Sequence, residues 1–156
     1  MKKAFTMIEL ILIIVVIGVL AAIATPRISA TRDNAVLVKT MAEIRTAIEE
    51  INAYYISQGK LALDTANNKV KFKEMTNAGV VDSSDDLSFF AKNEKCISLK
   101  FFAADQSCLG VDISEQGLCK KLWEVPEFKR FSQTVIKPAQ GVLPAHISFS
   151  AVRIVF

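Results

Sequence analysis

Glu9 is the one charged residue in a long apolar segment near the N-terminus, which runs from Phe5 to Ala24. A carboxylate within lipid costs roughly 2.5–3.5 kcal/mol on insertion scales, so a residue of this kind is a functional hypothesis that requires a partner. Lys2 and Lys3 are the nearest cations in the sequence. The chemistry that we expect of Glu9 is the formation of a charge pair in an apolar environment.

Three cysteines, Cys96, Cys108 and Cys119, supply the thiols of the chain. An odd number of cysteines in an exported domain predicts one disulfide and one free thiol. Residues 97–101 and 109–113 alternate apolar and polar side chains, which predicts a hairpin in which paired residue numbers sum to about 210. Cys96 and Cys108 would then not lie opposite each other. We favour the pair Cys96–Cys119 with Cys108 free, and the alternatives are Cys108–Cys119 or three free thiols.

The remaining reactive side chains do not form a catalytic or metal-binding set. His146 is the only histidine and adjoins a predicted strand, so we prefer a structural or exposed role for it. Asp82, Asp85 and Asp86 could supply oxygen ligands, but they lack the pattern of an EF-hand and are interpreted as a solvated acidic loop. The sequence contains no glycine-rich phosphate loop. We therefore predict no enzymatic activity, no cofactor and no metal site.

The segment that positions Glu9, residues 5–25, is predicted to be a transmembrane helix. About 20 helical residues cross a hydrocarbon core of roughly 30 Å. Lys2 and Lys3 in the short leader, residues 1–4, predict a cytoplasmic N-terminus. No small-residue cleavage pattern follows the apolar segment, so we expect it to remain in the mature protein. Small residues that would permit close helix packing are Gly18, Ala21, Ala22 and Ala24.

Residues 26–58 are predicted to be the amphipathic half of the same helix. Pro26 removes one backbone hydrogen bond and is expected to kink or loosen the helix locally. Apolar residues then recur at alternating spacings of four and three, which indicates one buried face. Gly59 is a helix stop. The residues of the apolar stripe are Leu37, Met41, Ile44, Ile48, Ile51 and Tyr55.

Residues 59–156 are predicted to form a globular head, a small antiparallel sheet that packs on the amphipathic half. Asn67 and Asn68 indicate a turn. A short helix is expected from Ser114 to Trp123, stopped by Pro126, and residues 147–156 are expected to form a final strand. The fold class is therefore α+β, with a long N-terminal helix on a small antiparallel β-sheet.

The N-terminal sequence resembles the type IV pilin and type II secretion pseudopilin superfamily. The resemblance rests on the motif Ala4-Phe5-Thr6-Met7-Ile8-Glu9, on Pro26 and on the long helix that follows. It implies that a prepilin peptidase cuts between Ala4 and Phe5 and methylates the new amino group of Phe5. It also implies a pilin-like fold and a role in filament assembly for Glu9, Thr6 and Pro26.

The resemblance implies a structural subunit of a type II secretion pseudopilus, which drives protein export. The implied partners are the prepilin peptidase, other pilin or pseudopilin subunits, the inner-membrane assembly platform and membrane lipid. We expect a single-pass protein of the bacterial inner membrane with a periplasmic C-terminal domain, which then enters a periplasmic filament. The alternative is a type IV pilin or competence pilus subunit with an adhesive or DNA-binding role.

Two further partners implied by such families are not favoured. Loss of Lys2 and Lys3 with the leader would lower the net charge from +3 to +1, which argues against a nucleic acid partner. Major pseudopilins often bind calcium in a C-terminal loop. The aspartates from Asp82 to Asp86 lie elsewhere in the chain, so calcium is not predicted.

Overall fold

The computed structural model describes residues 6–102, 106–134, 136–137 and 145–149, and the statements below concern these residues. Ala4 and Phe5, the loop of residues 138–144 and most of the expected C-terminal strand lie outside them. The chain divides into two compact units, Met1–Ala35 and Val36–Phe156. The first helix, α1, contributes residues to both.

Helix α1 spans Met7–Gln58, in agreement with the single long helix expected from the sequence. Its assignment continues through Pro26 without a break. The helix ends where Gly59 adopts a positive φ of 70° and its N–H bonds the Tyr55 carbonyl at 2.8 Å. A left-handed residue of this kind is the common helix C-terminus for which glycine is best suited.

Two sheets make up the β structure of the second unit. Strands β1 (Leu63–Asp64) and β2 (Lys69–Val70) form a hairpin, and Asn68 in its turn has a φ of 53°, as expected for the predicted turn. The larger, antiparallel sheet has the order β3-β4-β5-β6-β8-β7. Its strands are β3 (Val80–Val81), β4 (Leu87–Ala91), β5 (Glu94–Phe101), β6 (Cys108–Ile113), β7 (Ile136–Lys137) and β8 (His146–Ser148).

The register of β5 and β6 is the one expected from the alternation of their side chains. Ile97 is opposite Ile113 and Leu99 is opposite Val111. The inward residues of both strands therefore share one face. That face contributes to a core that also contains the apolar stripe of α1, of which Ile44, Ile48 and Ile51 are fully buried.

One buried polar contact joins α1 to the sheet. The Thr40 side chain is 1% exposed, and its hydroxyl bonds the Phe90 carbonyl at 2.9 Å as well as the Val36 carbonyl at 3.0 Å. A buried hydroxyl without such a partner would be destabilising. The predicted α+β layout, a long helix packed on a small antiparallel sheet, is confirmed for this unit.

The elements of the second unit that were not predicted include helix α2 (Phe72–Met75) and strands β3, β4 and β7. The β4 sequence LSFFA has no clear alternation, because both of its faces are largely covered, including Ser88 at 0% exposure. A strand buried on both faces does not show the period of two that sequence reasoning depends on.

Pro126 has two roles, of which the sequence predicted one. Helix α3 (Gly117–Glu124) does end before it, but Pro126 is also the first residue of another helix, α4 (Pro126–Thr134). Proline is well suited to the first helical position because its missing N–H would have no partner there. Phe128 and Phe131 of α4 are 2% and 3% exposed, so burial of this aromatic face stabilises the helix.

Candidate functional site

The candidate site is the apolar surface of α1 from Met7 to Ile23. Every large hydrophobic side chain of this segment is exposed, from 42% at Ile13 to 82% at Met7. Helix α1 is the one helix of the described residues that is long and apolar enough to cross a membrane. Soluble monomers rarely expose contiguous apolar patches larger than a few hundred Å², so an apolar surface of this extent indicates an interaction surface.

Glu9 lies in the first turn of α1, and its side chain is exposed. The Thr6 hydroxyl donates a hydrogen bond of 3.5 Å to Glu9 Oε2, so two of the residues assigned to assembly from the sequence are in contact. A carboxylate in the first turn of a helix interacts favourably with the unsatisfied N–H groups there. Neither interaction neutralises the charge, which would therefore require a cation in an apolar environment.

The polar hydroxyl near the end of the apolar segment is satisfied within the helix. Thr25 Oγ1 donates to the Ala21 carbonyl at 2.7 Å. Because this bond is made to the preceding turn of the helix itself, Thr25 does not require water. A Cβ atom added at Gly18 would meet nothing within 4 Å, so the surface there is open to a neighbouring molecule. The segment is thus compatible with lipid along its length, apart from Glu9.

The Cys96–Cys119 disulfide is present, as favoured from the sequence, and Cys108 is a buried cysteine outside it. The disulfide joins strand β5 to helix α3 with a Cα–Cα distance of 5.0 Å. Both of its cysteines are fully buried. Its role in the structure is to attach α3 to the sheet.

Glu94 strengthens the same junction, and the sequence did not reveal this. Its Oε2 accepts a hydrogen bond from the Leu118 N–H at 2.7 Å, in the first turn of α3. Helix α3 has no cap from the side chain of Gln116, so a carboxylate from β5 takes that function. Nothing local in the sequence indicates a cap that comes from 24 residues away.

Glu50 makes an equivalent long-range contact from α1. Its Oε2 accepts hydrogen bonds from the Thr76 hydroxyl and from the Asn77 N–H. The carboxylate therefore fastens the loop after α2 to the helix. Nothing local in the sequence indicates this contact, because its partners lie 26 and 27 residues away.

The acidic loop is organised around Asp82. Asp82 Oδ1 accepts from the N–H groups of Ser84 and Asp86 at 2.9 and 3.2 Å, and Oδ2 accepts from Ser88 Oγ and Lys95 Nζ at 3.1 and 3.0 Å. The bond from Lys95, with those from the loop, lowers the pKa of Asp82 to about 2. The hydrogen bonds of this carboxylate therefore stabilise the loop.

The other two aspartates of the loop have different environments. Asp85 pairs with Lys69, which raises the pKa of that lysine. Partial burial, together with the neighbouring charge of Asp82, raises the pKa of Asp86. The three carboxylates do not converge, and among the described residues no group of three or more potential ligands could hold a metal ion.

His146 lies on strand β8 and stacks on Phe102, with ring centroids 4.9 Å apart. This contact fits the structural role preferred from the sequence.

Comparison of the chain with protein-family models, curated proteins and solved structures finds no match.

Proposed function

We propose that this protein is a structural subunit of a type II secretion pseudopilus that assembles through its N-terminal helix. The single observation that supports this most directly is the exposed apolar surface from Met7 to Ile23. This surface needs two successive environments that exclude water. Lipid covers it while the subunit waits in the inner membrane, and the helices of neighbouring subunits cover it in the filament.

Glu9 supplies specificity for the second environment. Cleavage after Ala4 creates an α-amino group on Phe5, which methylation keeps basic. Phe5 and Glu9 are four residues apart in the sequence, so the amine of the same chain could face the carboxylate, and that of a neighbouring chain could serve equally. A charge pair in lipid offsets the cost of leaving either charge alone. Formation of this pair between subunits sets the stagger of adjacent helices.

The second unit serves as the exposed head of the subunit. A head in the periplasm is in an oxidising compartment, which suits the disulfide between Cys96 and Cys119. Its contacts with the second half of α1, such as that of Thr40 with Phe90, couple the head to the helix that enters the filament. Prepilin peptidase, an assembly platform and further subunits are the partners this function requires.

Imaging of the filament tests the proposal. An epitope inserted in the exposed turn at Thr65–Ala66 should label the head without disturbing α1. In cells with a secretion system and its peptidase, we expect the label on short filaments that remain in the periplasm. Label on long surface fibres would instead identify a pilus subunit. Membrane-integrated protein that never enters a filament, despite cleavage at Ala4, would refute the proposal.

A further inference from the structure

We propose that a second surface of α1, just beyond the apolar segment, binds the phosphate groups of anionic phospholipids. This surface, here called the juxtamembrane surface, consists of Arg27, Ile28, Thr31, Arg32 and Ala35. The inference rests on the membrane-inserted state in the proposed function. It adds a lipid class as a partner and assigns a role to two arginines that filament assembly through Glu9 does not use.

The two arginines place two positive charges within five residues of each other on α1. Both side chains are exposed, and no described side chain forms an ion pair with either of them. The one acid nearby in the sequence, Asp33, does not line the juxtamembrane surface. Thr31 does not compete for a ligand, because its hydroxyl donates to the Arg27 carbonyl at 3.0 Å.

The position of the surface along the helix matches the lipid headgroups. If the hydrocarbon core of roughly 30 Å begins near Thr6, it ends about 20 residues later, near Thr25. Arg27 then lies about 3 Å and Arg32 about 10 Å beyond the hydrocarbon, measured along the axis at 1.5 Å per residue. Helical side chains lean toward the N-terminus of their helix, so both guanidinium groups lean back toward the membrane.

The chemistry of the surface fits a phospholipid rather than a free ion. Guanidinium groups bind phosphate oxygens through paired N–H donors, and arginine is less strongly hydrated than lysine. Ile28 lies between the arginines in sequence and is 67% exposed. It offers an apolar contact to the glycerol and upper acyl region of the same lipid. The guanidinium groups therefore suit the phosphate of the lipid, and Ile28 suits its glycerol and upper acyl region.

Lipid retention by the purified protein tests this inference. The full chain, purified in detergent, would be mixed with phosphatidylglycerol or with zwitterionic phosphatidylcholine, and bound lipid would be counted by native mass spectrometry. Each cation near an anionic membrane surface strengthens binding by about fivefold. We expect R27Q and R32Q each to lower phosphatidylglycerol retention by about that factor, and the double variant by about 25-fold. Phosphatidylcholine retention should change little.

Lys60→Gln is the matched control, because it removes the same charge from an exposed position after the end of α1. Its lipid retention should equal that of the wild type. Equal phosphatidylglycerol retention by the wild type and the double variant would overturn the proposal. The double variant could instead lose the cross-linked dimers that the wild type forms in phosphatidylcholine vesicles, with lipid retention unchanged. That result would also overturn the proposal and would identify a second copy of the chain as the occupant.

Failure of this inference is distinguishable from failure of the proposed function. A double variant that still enters filaments but binds lipid like the wild type refutes only the lipid inference. A wild-type chain that retains phosphatidylglycerol through the arginines but never enters filaments refutes only the filament function. Resistance to alkaline extraction, measured for every variant, verifies that each chain remains integrated in the membrane.

Discussion

Lys95 Nζ lies 3.0 Å from Asp82 Oδ2, and this contact ties strand β5 to the loop between β3 and β4. The loop is exposed, yet its carboxylate accepts two backbone N–H groups and a serine hydroxyl in addition to the lysine. The hydrogen bonds of Asp82 therefore hold this run of aspartates in a turn. Its electrostatics lead to the first prediction.

Asp82 should remain ionised to about pH 2, the value to which its hydrogen bonds lower its pKa. Because the unfolded-state pKa is about 3.9, the contribution of Asp82 to stability is complete above that pH and is lost as the pH falls through about 2. Carboxyl ¹³C shifts in an NMR titration would measure this directly. The destabilisation by Asp82→Asn in urea should be present at neutral pH and mostly lost by about pH 2. Titration of Asp82 near 4 would contradict the assignment.

Loss of the Cys96–Cys119 disulfide should destabilise the second unit by about 3 kcal/mol, because the cross-link closes a loop of 23 residues in the unfolded chain. Urea unfolding of the Cys119→Ala variant, compared with the oxidised wild type, measures this. Cys108→Ala is the control, since it retains the disulfide. Non-reducing peptide maps should show that Cys119 is linked to Cys96. Alkylation of Cys119 under native conditions would show that this pairing is wrong.

Gly117→Ala should destabilise the protein by about 2–3 kcal/mol. A Cβ there would lie against the Glu94 carboxylate, and Gly117 has a φ of 51°, which is unfavourable for other residues. The carboxylate can move away, but it would then lose its bond to the Leu118 N–H. Gly59→Ala is the matched control, with a similar φ of 70° but open space around it, and should cost about 1 kcal/mol. Equal losses would show that the Glu94 contact contributes nothing.

Processing should occur between Ala4 and Phe5 in cells with an active prepilin peptidase. Intact-mass analysis of membrane-extracted protein is expected to give a chain that starts at Phe5 and is methylated. Ala4→Gly should be cleaved at least as fast, because the pilins and pseudopilins that the N-terminal motif resembles usually have glycine at this position. A bulky Ala4→Trp variant should remain uncut. Recovery of only the Met1-starting chain would be inconsistent with the proposal.

Glu9→Leu should be cleaved and inserted normally but should enter filaments poorly, because the charge pair with an α-amino group is lost. Cross-linking between subunits, in cells without a wild-type copy, measures incorporation. Glu9→Gln keeps the size and hydrogen-bonding capacity of the side chain, so a defect shared with Glu9→Leu would assign the effect to charge. Wild-type incorporation of Glu9→Leu would refute the role given to Glu9.

Local patterns in the sequence were sufficient for the elements whose stabilisation is local. The apolar stripe from Leu37 to Tyr55 predicted the buried face of α1, Gly59 predicted its end, and alternation in β5 and β6 predicted their register. A helix period, a left-handed glycine and a strand period are each visible within a few residues. The apolar segment that contains Glu9 is likewise visible in the local sequence.

The tertiary structure alone decided the features that depend on residues distant in the chain. Asp82 differs from Asp85 and Asp86 in part because Lys95 of β5 reaches it, and Glu94 caps α3 because β5 lies beside that helix. Strand β4 was not predicted because burial on both faces removes the alternation of its side chains. Helix α4 was not predicted because the proline at its start also marks the end of α3. Local sequence encodes periodicity and backbone preference, whereas hydrogen bonds between elements depend on which elements the core brings together.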